Sequence, residues 1–302
     1  MLAQVDVLRR SVLEQHALYW RESARSRQRL GVGRAWPFYG AASLLVLVLF
    51  VLGAWLERQS SSSFSSTLCL LSPLLMFTPS LFFWAVPLGM TLGPVIVRER
   101  VERTWETLLI TPQDIDLIVL CKTRAALLAR RELLRFLRAF VALVGVVVGT
   151  GFAFTFFDAV PVSWPSQRAF LVAVLLLLIA AGTVAYLVER AQHFTLMIVA
   201  VLNASAVART MRGAVAWGIM AAFLAWLVDA GLAVTMLLAA PSGFVGQTEL
   251  SLLVTGVLGP PVGYLIKFPL GVALLLILGT LVLREILVQV LWWRALRAAA
   301  ML

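Results

Sequence analysis

Pro37–Leu56, PFYGAASLLVLVLFVLGAWL, runs twenty residues without a charge. As an α-helix rising about 1.5 Å per residue it measures about 30 Å, the thickness of a bilayer's hydrocarbon core. Comparable runs recur at Leu68–Val97, Ala139–Phe157, Arg168–Val188, Gly213–Ala240 and Pro260–Leu283. Hydrocarbon offers backbone groups no partner, so runs of this length read as transmembrane helices. Composition agrees: 61% of the 302 residues are hydrophobic and 13% are charged, against about 25% charged in soluble domains. Mean hydropathy is +0.95. No polar stretch is long enough to fold alone. The expectation is one all-α, polytopic membrane domain over residues 37–283, with a cytoplasmic N-terminal segment at 1–36 and a cytoplasmic tail at 284–302.

The net charge of +10 comes almost wholly from arginine, since Lys122 and Lys267 are the only lysines. The basic residues flank apolar runs, so they read as the cytoplasmic excess that orients a membrane protein and not as a nucleic-acid footprint. Seven arginines lie in residues 1–34 and nine basic residues in 98–138. Arg209 and Arg212 form a pair, and Arg284, Arg294 and Arg297 mark the tail. Placing all four groups inside requires six net crossings with both termini cytoplasmic. A separate crossing by Ala191–Ala208 would move the last two groups outside. Arg168–Ala208 would be about 60 Å long as one helix, twice the bilayer core. One long helix, a broken helix, and a crossing with an interfacial piece all remain open for it. Cys69 and Cys121 are too few for a disulfide framework. The first apolar run begins after a long charged segment, which does not fit a cleavable signal peptide.

The stretch Arg98–Lys122, RERVERTWETLLITPQDIDLIVLCK, separates the second and third expected spans. Trp105, Leu108 and Leu109 share one face of a helix, with Glu99, Arg100, Glu102, Arg103 and Glu106 around the rest. The helix should stop near Thr111-Pro112, because the residue before proline is pushed out of the α region. An exposed apolar stripe of this kind lies on a membrane surface or meets a partner.

These residues resemble the cytoplasmic signature of ABC-2-type transporter permeases, which runs Glu-Arg-Glu-x-Gly-Thr-Trp/Leu-Glu-x-Leu-Leu-x-Thr-Pro and then about ten residues to Gly-Lys. Glu99, Arg100, Thr104, Trp105, Glu106, Leu108, Leu109, Thr111 and Pro112 match it, as do Ile118 and Lys122. Val101 replaces a usual acid, Arg103 the usual glycine, and Cys121 the glycine before the lysine. The N-terminal segment ending LYWRESARSRQR is similar to that family's amphipathic elbow helix. Asn203–Trp217 is similar to its junction between the fourth and fifth spans. The resemblance implies that Glu99–Pro112 form a coupling helix seated on a separate nucleotide-binding subunit. ATP and magnesium would bind that subunit, and this chain would be a transport subunit and not an enzyme. It also implies a second permease chain, identical or paralogous, and an extracellular hairpin before the last span, which Pro241–Gly259 can supply. Its substrates would be amphipathic: lipids, drugs, antibiotics or glycans, usually moved outward. No GxxxxGK[ST] cradle occurs in the chain, so the energy source is expected to be another polypeptide, or there is none.

Other candidates have bland readings beside functional ones. Asp229 lies inside an apolar run, where a carboxylate is costly and marks a substrate or proton site by default, or else bonds to a neighbouring helix. Phe82, Phe83 and Trp84 either line an apolar substrate path or face lipid. Glu189 and Arg190, with His193, read as an ion-paired break more readily than as a relay. Lys267 reads as snorkelling. Two histidines do not make a conventional metal site, and HExxH and GxSxG are absent. The alternative to an ATP-driven permease is a secondary transporter or channel, driven by ions through Asp229 without an ATPase partner.

Overall fold

The structure is a computed structural model, and it describes Trp20 and residues 85–110, 114–128, 168–238 and 270–301. Seven helices account for the regular structure there: α1 (Val86–Leu92), α2 (Pro94–Val101), α3 (Trp105–Leu109), α4 (Ile115–Leu128), α5 (Arg168–Val207), α6 (Met211–Leu238) and α7 (Leu270–Ala300). No strand occurs among the described residues. The elbow segment, Cys69, Lys267, the spans at 37–56 and 139–157 and the hairpin at 241–259 lie outside them.

Arg168–Val207 is one continuous helix of 40 residues. It resolves the open path through this region, and Glu189-Arg190 does not break it. Helix α5 is the centre of the assembly: α6 and α7 pack along it, and α1 and α2 meet its C-terminal half. Its first half leaves Leu176, Leu177, Val184 and Leu187 exposed. Its second half buries Leu196, Met197, Val201, Leu202 and Ala206.

Among the described residues two helices are long and apolar enough to cross a membrane, α6 through Met211–Val228 and α7 through Gly271–Ala300. Both invert the usual burial pattern. Helix α7 buries Ala273, Ile277, Thr280, Arg284, Val288 and Ala295, a stripe at helical spacing that includes the polar Thr280 and Arg284. Its outer face shows Leu275, Leu278, Val282, Val290 and Trp293. An apolar outside around a partly polar inside suits hydrocarbon surroundings. Helix α7 runs through Arg284 without interruption, and the Arg284 charge turns inward against an acid of α5.

Helices α1 and α6 cross at very short range. A Cβ on Gly89 would lie 2.5 Å from the Ile219 backbone nitrogen, and one on Gly93 would lie 2.6 Å from the Ala214 carbonyl oxygen. Gly218 completes the contact, its own Cβ position falling 3.3 Å from the Gly89 Cα. Gly89-x-x-x-Gly93 facing Ala214-x-x-x-Gly218 is the small-residue spacing by which membrane helices approach closely.

The chain turns at Gly93 and restarts at Pro94, which occupies the first position of α2. Pro94 has no N–H to lose there, but the amide of Ile96 is an orphan of the first turn. Ser205 of α5 supplies the missing cap from across the fold. Its hydroxyl accepts from the Ile96 N–H at 3.3 Å and donates to the Gly93 carbonyl. Ser205 is fully buried. Ser205→Ala is expected to cost about 1 kcal/mol of stability, the usual loss of a helix cap, read from thermal unfolding in mild detergent. An unchanged midpoint would remove Ser205 as the cap.

Candidate functional site

The segment Arg98–Lys122 folds as a compact clamp. Helix α2 ends at Val101, with Glu102 as its cap. The N–H of Arg103 donates to the Arg100 carbonyl at 3.1 Å, and the N–H of Thr104 donates to the Glu99 carbonyl at 2.9 Å. This pair of bonds is the Schellman ending, which places the residue after the cap in the left-handed region. Arg103 has φ 55°. Glycine takes that conformation at no steric cost, whereas an L-residue is penalised by about 1–2 kcal/mol. The pattern that this stretch resembles has glycine at that position, and the backbone gives the reason. Arg103→Gly is therefore expected to stabilise the fold by about 1 kcal/mol, measured by the same unfolding assay. A lower midpoint would contradict the assignment.

The turn divides what the periodicity predicts as one helix. Only Trp105–Leu109 is helical beyond it. The expected end near Pro112 stands, since Ile110 caps the helix. The stripe's direction differs from the expectation of an exposed face. Trp105 is 2% exposed and Leu108 is 5% exposed. Both pack into one cluster with Ile96, Ile118, Leu202, Ala206, Leu296 and Ala299. The outward residues are Val101, Glu102, Arg103, Glu106 and Ile110, and Ile110 is 84% exposed. The Leu109 backbone lies in α3. Thr111 and Pro112 lie outside the described residues.

The clamp grips the C-terminal ends of two long helices. Arg100 donates through Nη2 to the Ala206 carbonyl at 2.9 Å and through Nη1 to the Ala208 carbonyl at 3.0 Å. These oxygens belong to the end of α5, where carbonyls have no helical partner and the dipole favours a cation. Burial holds the Arg100 guanidinium below its usual pKa. Trp105 donates its indole N–H to the Ala299 carbonyl at 3.1 Å. That carbonyl lies in the last turn of α7.

A buried ion pair fixes the clamp to α4. Lys122 Nζ lies 2.9 Å from Glu99 Oε1, with each side chain 2% exposed. The Thr104 hydroxyl donates to the other carboxylate oxygen of Glu99. The first acid and the last lysine of the recognised pattern thus meet, which their separation in sequence does not reveal. Cys121, the free cysteine beside Lys122, is fully buried. Burial pushes its thiol up, against weaker downward pulls from Arg124 and Lys122. That environment suits an unreactive, structural thiol.

A second group of charges lies between α5 and α7. Glu189 is fully buried, with Arg284 Nη1 at 2.7 Å and Arg190 Nε at 3.1 Å. The Arg190 guanidinium stacks over the Tyr186 ring, 5.2 Å from its centroid. Gln192 and His193 are buried beside them in sequence. The expectation of an ion pair here holds, but the partner on α7 went unseen. Its signal was available: Glu189 and Arg284 each interrupt a long apolar helix, and such charges seek each other. The GxxxG spacing at Gly89 was equally legible and was missed.

Asp229 occupies a backbone position within α6. Phe82, Phe83 and Trp84 lie outside the described residues. Among the described residues no group of three histidine, cysteine or acidic side chains is placed to hold a metal ion. No family model, no curated protein and no solved structure matches this chain.

Proposed function

We propose that this chain is the membrane-spanning subunit of a transporter of the ABC-2 permease type, powered by a separate ATPase and moving an amphipathic substrate. The observation that carries this reading is the clamp. The segment that resembles the family's coupling signature bonds directly to the ends of α5 and α7. A displacement applied to it would reach both helices without an intermediary.

Six crossings place this segment in the cytoplasm with both termini. Arg209, Arg212, Arg294 and Arg297 are exposed, next in sequence to the helix ends that the clamp holds. Such a rim is expected on the cytoplasmic side. The ATPase meets Val101, Glu102, Arg103, Glu106 and Ile110, since Trp105 and Leu108 are committed to the interior. A second permease chain completes the transporter.

The test is purification from native membranes in mild detergent, with mass spectrometry of what co-purifies. A stoichiometric soluble protein carrying a Walker A loop is expected. Glu106→Lys with Ile110→Asp should reduce its capture at least tenfold, equivalent to about 1.4 kcal/mol, without altering the chain's own unfolding midpoint. A stable oligomer free of any ATPase would overturn the reading and leave ion-driven transport through Asp229 as the next to test.

A further inference from the structure

We propose that the Glu189–Arg284 ion pair is a lock that holds α5 and α7 in register, and that it works against the grip of the clamp at the far end of the same two helices. The proposal relies on the transporter reading only for the source of the movement, not for the lock.

The geometry has two tie points. At one, Arg100 holds the end of α5 through the Ala206 and Ala208 carbonyls, and Trp105 holds the end of α7 through the Ala299 carbonyl. Those bonds come from residues five positions apart on one short segment, so the two ends move together with it. At the other, Glu189 binds Arg284 directly. This second point lies roughly 25 Å along each helix at about 1.5 Å per residue. Ala206 and Ala299 pack in one cluster, and Leu196 and Val199 of α5 meet Val288 of α7 between the two ties. The second tie falls near the middle of each helix, and two rigid rods tied at two such points can neither slide nor splay. Released at one point, they pivot on the other.

The nature of the upper tie makes it a switch and not a mere contact. Glu189 is fully buried and the Arg284 side chain is 3% exposed. Separating them strands the Arg284 charge in apolar surroundings, so partial opening is disfavoured and the pair has two states, closed or fully rearranged. Arg190, stacked on Tyr186 on the same stretch of α5, already holds the other Glu189 oxygen through Nε at 3.1 Å. The carboxylate can stay neutralised on α5 when Arg284 leaves. A cheap exit for one partner is what lets a lock open at all. Ordinary hydrophobic packing would instead give a graded response.

The test measures two distances in the purified full chain in lipid nanodiscs, with no ATPase present. Cys69→Ser and Cys121→Ala clear the background. Spin labels at Val188→Cys and Ile286→Cys report the upper tie, and labels at Val207→Cys and Met301→Cys report the lower one. All four positions are exposed. The unmodified pair should give one narrow distribution at each level, with any second population below about 10%. The double variant Glu189→Gln/Arg284→Met removes both charges together, which leaves no stranded ion to prevent folding. It should raise the second population at the upper level at least fivefold and leave the lower level narrow. Trp105→Phe keeps the ring and removes the indole N–H, so it should broaden the lower level alone. Combining the two should broaden both levels by more than the separate effects.

A narrow upper distribution in the double variant would overturn the proposal, as would strictly additive broadening in the combination. If the double variant does not fold, Arg284→Lys is read instead: a raised second population supports the lock, and an unchanged one refutes it. A failure of the transporter reading leaves every one of these distances as stated, because no partner or substrate enters the experiment.

Discussion

Gly93→Val is expected to destabilise the fold by about 3 kcal/mol or more, beyond the 1–3 kcal/mol typical of an overpacked core. The reason is what the new carbon meets. At most positions an added group pushes against a side chain that can change rotamer. Here the Cβ would stand 2.6 Å from the Ala214 carbonyl oxygen, which is backbone. At Gly89 the obstacle is again backbone, the Ile219 nitrogen at 2.5 Å and its Cα at 2.8 Å. A separation of the α1 and α6 axes relieves the contacts with α6, while a Cβ on Gly93 would also stand 2.5 Å from the Gly89 carbonyl oxygen of its own segment. That separation would strip contacts from the cluster of Ala85, Leu88, Leu92, Met197, Val201 and Ala222 on the same faces. In a bilayer the loss is acute, because lipid tails are as apolar as the partner helix and association rests on close packing. Gly89→Val should behave alike. Gly271→Ala and Gly279→Ala are the controls: nothing lies within 4 Å of a Cβ at either. They should be neutral or gain up to about 1 kcal/mol of helix propensity. The measurement is the unfolding midpoint in mild detergent, with yield of monodisperse protein as a second readout. Equal behaviour of the two glycine pairs would refute the close crossing.

The contrast between these glycines shows what the sequence made legible. Apolar length gave α6 close to its observed ends, Gly213–Ala240 against Met211–Leu238, whereas α5 and α7 run on well past the expected Val188 and Leu283. The end of α3 near Pro112 followed from local sterics. The direction of its apolar face did not. Trp105, Leu108 and their neighbours satisfy the same periodicity whether they meet lipid, a partner or their own chain. The deciding contact, the Ala299 carbonyl, lies 194 residues away. Glu189 is the same case. Read alone it suggested a break in the helix. With Arg284 opposite it is compatible with a helix of 40 residues. Arg103 runs the other way: its oddity in the recognised pattern was visible at once, and only the backbone angle explained it.

The second large effect is expected at Lys122. Lys122→Met should destabilise the chain by about 3–5 kcal/mol, because it leaves the Glu99 carboxylate buried without its cation. Glu99→Gln keeps an oxygen for the Thr104 hydroxyl but strands the Lys122 ammonium in turn, so it too should be strongly destabilising. With both side chains 2% exposed, neither ion is rescued by solvent. The double variant Glu99→Gln/Lys122→Met should recover most of the loss, since neutral groups of similar volume replace a buried pair at little net cost. That recovery separates two roles for the pair. On the proposed transporter reading, if it serves only to hold α4 against the clamp, a stable double variant will co-purify with the proposed ATPase as well as the unmodified chain does. If its charge fixes the orientation of α2, the double variant will fold and fail to couple. Arg100 follows Glu99 directly on α2, and its two bonds to the α5 carbonyls depend on that helix's rotation. On the proposed transporter reading the expected result is therefore a folded double variant without ATP-driven transport. Normal transport alongside restored stability would reduce the ion pair to a structural brace and leave coupling to Arg100 and Trp105.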